Sequence, residues 1–67
     1  MISINVNNSK KNINKNTSLT QLLEEIQHSA NGIAIAVNET VVVKTNWSTT
    51  LLQDNDTVLI IKATQGG

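Results

Sequence analysis

Residues 18–26, SLTQLLEEI, carry the one long helical stripe in the sequence: Leu19, Leu22, Leu23 and Ile26 recur at i, i+3, i+4 and i+7. Ser18 ahead of the stripe and Gln21 three residues on have the form of a capping box, in which each side chain satisfies the other's backbone N–H. Asn31-Gly32 follows, and Gly32 is free to take the positive φ of a helix C-terminal cap, so a helix is expected over residues 19–29. Gln21, Glu24, Glu25 and His28 form its polar face. The rest of the 67 residues reads as strand and turn. One amphipathic helix can cover one face of one sheet, and two-layer packing is the arrangement that buries its stripe.

The strands announce themselves by alternation. Ile2, Ile4 and Val6 alternate with Ser3, Asn5 and Asn7, the period of a half-buried strand. NNSK (residues 7–10) has turn composition, and KNINK offers a short return strand with Ile13 inward and lysines guarding the edge. IAIAV (33–37), a two-residue NE turn and TVVVK (40–44) form a second hairpin. A helical turn is expected near Trp47, burying Trp47 and Leu51 or Leu52, and DND (54–56) is a polar turn. TVLIIK (57–62) is apolar on both faces, which suits a central strand. The expected fold is α+β, order β-β-α-β-β-β, a mixed four- to five-stranded sheet with one helix on one face.

Alternation divides the last strand. Val58 and Ile60 share one face and are assigned to the helix side. Leu59 and Ile61 share the other, which no second helix can cover, and are read as a surface for partners. Trp47 is read as a packing residue, and His28, Glu24-Glu25 and Asp54/Asp56 as surface and turn groups. Lys10, Lys11 and Lys15 read as edge protection that could also meet an acidic partner surface.

Composition narrows the function. Five Lys balance five acidic residues, which argues against a nucleic-acid partner. The absence of Cys and the single His argue against a structural metal. No apolar run approaches the roughly 18 residues of a membrane span, and no targeting peptide is visible, so a cytoplasmic protein is expected. No nucleophile–base–acid set suggests an enzyme, and no bound cofactor is expected. KATQGG (62–67) follows the last strand. Glycines there add no core and no cap, so residues 63–67 are read as a flexible tail on a domain of residues 1–62: either that tail is slack, or the terminal carboxylate is its working part.

Taken together, these pieces resemble the ThiS family, ubiquitin-like sulfur carriers of thiamine biosynthesis with a β-grasp fold. The resemblance covers essentially the whole chain: SLTQLLEEI, IAVN (35–38) entering the hairpin, the valines followed by Trp47, DND where the family commonly has Asp-Gly-Asp, and Gly66-Gly67. The chain departs at Val43-Lys44, where the family often has Pro-Arg, and at Asn55, which replaces a turn glycine. The resemblance implies a protein substrate rather than a catalyst. A ThiF-type adenylyltransferase would use ATP to adenylate the carboxylate of Gly67. Sulfur from a donor such as a cysteine desulfurase would make the thiocarboxylate, and a ThiG-type thiazole synthase would receive it. Ala63, Thr64, Gln65 and Gly66 would thread into the partner active sites. It also implies a bacterial cytoplasmic location, with an organelle-encoded copy as the alternative. The competing readings are the sulfur carrier subunit of molybdopterin synthase and a ubiquitin-like modifier or interaction domain. The short chain without Phe or Tyr favours the thiamine branch.

Overall fold

The computed structural model describes residues 1–29 and 31–62. Its elements run β1 (Ile2–Val6), β2 (Ser9–Ile13), α1 (Leu19–Glu25), β3 (Ile33–Val37), β4 (Thr40–Val42), a 3-10 turn (Lys44–Asn46) and β5 (Thr57–Lys62). The strands form one sheet in the order β2-β1-β5-β3-β4. β1 and β5 are parallel and every other pairing is antiparallel. The expected α+β architecture, with one helix on a mixed sheet and the last strand at its centre, is present.

Both hairpins turn on two residues with positive φ, Asn7 (50°) with Asn8 (69°) and Asn38 (51°) with Glu39 (70°). That pair of values is the type I′ turn, whose twist matches the right-handed twist of the strands it joins. The first return strand accordingly starts at Ser9, earlier than the KNINK pattern suggests. The second is shorter than TVVVK: it stops at Val42, because Val43 leads into the 3-10 turn and the Val42 carbonyl also accepts the Trp47 indole N–H at 2.9 Å.

The capping box forms in both directions. Gln21 N–H donates to Ser18 Oγ at 3.2 Å, and Ser18 N–H donates to Gln21 Oε1 at 3.0 Å. The helix ends at Glu25, well short of residue 29. Gln27 takes the left-handed conformation (φ 56°) and ends it. Gln27 N–H bonds Glu24 O at 3.1 Å and His28 N–H bonds Leu23 O at 2.9 Å, which is the Schellman closure. Gly32 also has positive φ (67°), but it serves the entry to β3 and not the helix end.

Ile4, Ile13, Leu19, Leu22, Ile35 and Val58 are fully buried between helix and sheet, joined by Leu23, Trp47, Leu52 and Ile60. Of the two leucines after Trp47, Leu52 enters the core and Leu51 stays exposed. Leu52 N–H donates to Thr17 O at 2.8 Å, tying this segment to the approach to the helix. Among the described residues no buried side-chain nitrogen or oxygen lacks a hydrogen-bond partner.

Candidate functional site

β5 is the element on which the site is built. Each of its neighbours contributes a backbone ladder, and each adjoining hairpin turn contributes a side chain. Asn38 Oδ1 accepts the Thr57 N–H at 3.0 Å, and Asn7 Oδ1 accepts the Ile60 N–H at 2.8 Å. Asparagine suits both places because it tolerates the left-handed region and still offers an amide oxygen. Asn38 Nδ2 also donates to Asp56 Oδ1 at 2.9 Å. The strand is thereby held at its start and in its second half.

The two faces of β5 differ as alternation requires. Val58 (0 % exposed) and Ile60 (8 %) point into the core, whereas Leu59 (45 %) and Ile61 (46 %) stand on the open face. Register extends that face sideways. Leu59 lies opposite Ala36, and Ala36 opposite Val41; Ile61 lies opposite Ala34. With strands about 4.8 Å apart, Leu59, Ala36 and Val41 make an apolar row about 10 Å wide. Val41 is 67 % exposed, and alanines keep the row flat. Sequence reasoning missed Val41 and the alanines: strand alternation marks a side, but only the β3–β4 register shows that their side is the one carrying Leu59. The other half of the open face is polar, with Ser3, Asn5 and Thr57 in the middle and Lys10 and Asn12 on β2.

The lysines do not form one cluster. Lys10 pairs with Asn5 on the open face, Lys11 pairs with Ile4 and is half-buried on the helix side, and Lys15 lies beyond the strand. The carboxylates serve local structure. Asp54 Oδ1 accepts the Ser3 N–H, and Asp56 Oδ2 accepts the Gln53 N–H, each at 2.8 Å. Glu24 and Glu25 are exposed and His28 is half-buried, its Nδ1 lying 2.9 Å from Ser29 O. Among the described residues no group of three His, Cys, Asp or Glu is placed to hold a metal, and no helix is long and apolar enough to cross a membrane. Ala63, Thr64, Gln65, Gly66 and Gly67, to which the family resemblance assigns the chemistry, lie outside the described residues.

A five-stranded mixed sheet with parallel β1 and β5 at its centre, crossed by one capped helix, is the ubiquitin-like β-grasp. Within that class the chain belongs to the ThiS family, whose family model matches residues 3–67. The sulfur carrier protein ThiS of Escherichia coli (strain K12) is 32% identical over 47 residues, which span 70% of this chain and 71% of that protein. The crystal structure of the thiamine biosynthesis protein ThiS from Geobacter metallireducens has a TM-score of 0.88, covering 98% of this chain and 100% of that one. At 20% identity that likeness is one of fold.

Proposed function

We propose that this protein carries sulfur on the carboxylate of Gly67 and delivers it to thiazole formation in thiamine biosynthesis. The observation that carries the reading is a family match that runs through Gly67 itself, on a body that exposes Leu59 and Ile61 on the strand leading towards that residue. The E. coli relative's name, a sulfur carrier protein, supports it.

The chemistry needs little of the domain. A carboxylate is a poor electrophile. In a ThiF-type enzyme a Gly67 carboxylate oxygen attacks the α-phosphorus of ATP, pyrophosphate leaves, and an acyl adenylate forms. The terminal sulfur of a donor's persulfide, such as that of a cysteine desulfurase, then attacks the carbonyl carbon, and AMP departs with the original carboxylate oxygen. A thiol reductant attacks the donor cysteine's sulfur in the resulting acyl disulfide, forming a disulfide with it and releasing the thiocarboxylate. A ThiG-type synthase accepts that sulfur. Gly66 and Gly67 lack Cβ atoms, so channel walls can approach their backbone closely. Ala63 to Gly67, extended, reach roughly 16 Å at about 3.3 Å per residue, enough for a buried site while the domain stays outside. Leu59 and Ile61, flanked by Ala36 and Val41, supply the docking surface. Ordering a free tail costs entropy, so affinity must come from the folded body.

The test is an intact mass. Incubation with ATP, a ThiF-type enzyme and a sulfur donor should exchange one oxygen for one sulfur, and deletion of Gly67 should abolish the gain. An unchanged mass beside an enzyme that thiocarboxylates its own carrier refutes the reading. Offering the product to thiazole synthase and to the large molybdopterin synthase subunit separates the two carrier branches.

A further inference from the structure

The sheet has two edges, and they differ in chemistry. β2 and β4 are its end strands. β2 presents Lys10 and Lys11, and lysine on an edge discourages another chain from pairing there. β4 and the extended Val43 that follows it carry no charge and no proline. Val41 is 67 % and Val43 58 % exposed. In a two-residue hairpin the closing pair, here Val37↔Thr40, is hydrogen-bonded, so the next pair, Ala36↔Val41, is not. Val41 therefore turns its N–H and C=O outward, away from β3. The same alternation points the Val43 N–H outward, and among the described residues it donates to no backbone carbonyl.

Charge decides what fits this edge. Glu39 opens it and Lys44 closes it, and both are exposed. Antiparallel pairing of two copies lays each lysine beside the other's glutamate, whereas parallel pairing sets like charge against like. We propose that the β4 edge is a self-association site, where two copies of this chain pair antiparallel through residues 39–44 and join their five-stranded sheets into one. A two-fold register centred on Val41 uses the outward groups. Val41 N–H donates to the second copy's Val41 C=O and the reverse, and each Val43 N–H reaches the other copy's Glu39 C=O. On the open face Val41 meets the second copy's Val41, and each Val43 lies on the diagonal to it. The row of Leu59, Ala36 and Val41 then runs on into the second copy. About six residues from each copy take part, against the roughly 20–30 a side of a stable interface. The dimer is accordingly weak, with a Kd on the order of 0.1 mM. This pairing asks nothing of the carrier chemistry.

Sedimentation equilibrium of the full chain from about 10 µM to about 1 mM brackets that value. The average mass should climb from monomer towards dimer, and amide NMR shifts that change with concentration should cluster at residues 39–44. Val43→Pro removes an outward N–H at a residue whose φ of −67° and ψ of 148° already suit proline. It should keep the wild-type melt and weaken association about tenfold or more. Lys44→Glu sets like charges together and should weaken it by up to about tenfold, more at low salt than at high. Adding Glu39→Lys to Lys44→Glu reverses both charges and should restore the wild-type Kd within about twofold. Lys10→Glu, on the other edge, should leave the Kd unchanged. A wild-type chain that stays monomeric at about 1 mM, a wild-type Kd for Val43→Pro, or no rescue by the double charge reversal overturns the proposal. Association lost in Leu59→Ala but kept in Val43→Pro overturns it too, by moving the contact to the open face.

Discussion

Replacing Leu59 and Ile61 by alanine, singly and together, tests the open face quantitatively. Burying a leucine or isoleucine completely is worth about 1.5–3 kcal/mol. In the free protein a little over half of each is already covered, since Leu59 is 45 % and Ile61 46 % exposed. A partner that covers the remainder gains roughly 1 kcal/mol from each side chain, about fivefold in affinity. The double variant should lose about 30-fold if the two contributions add. The covered halves bear on folding, so each substitution also costs the free domain roughly 1 kcal/mol and should leave it folded. Ile60→Ala is the internal contrast. That side chain is 8 % exposed and faces the core, and its truncation should cost about 2–5 kcal/mol, enough to unfold much of a domain this small. Calorimetric titration of a ThiF-type enzyme with each variant gives the affinities, and thermal melts followed by circular dichroism give the stabilities. Double-variant affinity within twofold of wild type, or a Leu59→Ala melt as low as that of Ile60→Ala, refutes the assignment of faces to functions.

Gln27→Gly should stabilise the domain. Gln27 holds φ 56° at the helix end, where glycine carries no Cβ penalty, and a net gain of about 0.5–1 kcal/mol should raise Tm by roughly 2–8 °C in a thermal melt. Ser18→Ala removes the hydroxyl that caps Gln21 N–H and should cost about 1 kcal/mol, read as a lower urea midpoint with an unchanged slope. Trp47 is buried and its indole N–H is bonded to Val42 O, so its fluorescence should be blue-shifted and poorly quenched by acrylamide until the fold is lost. Trp47→Phe keeps an aromatic ring but deletes that bond, and should lower stability by about 1 kcal/mol or more in urea titration.

Features written in local chemistry were legible in the sequence. Ser18 and Gln21 gave away the helix start because the capping box is contained in one turn. Alternation placed Val58 and Ile60 inward and Leu59 and Ile61 outward because the side-chain period of a strand is two. The helix end was not legible. Gly32 is the better left-handed residue, yet Gln27 takes that conformation at the helix end, while Gly32 takes it at the entry to β3. Nor was the width of the apolar row, since Val41 joins Leu59 only through two strand registers. Asn7 and Asn38 were visible as turn residues. Their bonds to Ile60 and Thr57 span 53 and 19 positions, and no local pattern encodes them.

The place of β5 in the sheet also dictates when the fold can form. Among the described residues the two hairpins β1-β2 and β3-β4 have no ladder between them, and within the sheet each reaches the other through β5. Until residues 57–62 have been synthesised the sheet consists of two separate hairpins, neither stable alone. The closing step pairs β5 with β1, more than fifty positions earlier in sequence, so much of the loop entropy must be overcome before the rewarding contacts form. Folding is therefore late and cooperative, and a nascent chain interrupted before Thr57 should have no intermediate fold to rest in. The strand that bears the open apolar row is also the strand that completes the sheet, so the row can be displayed in register only by a chain that has already folded.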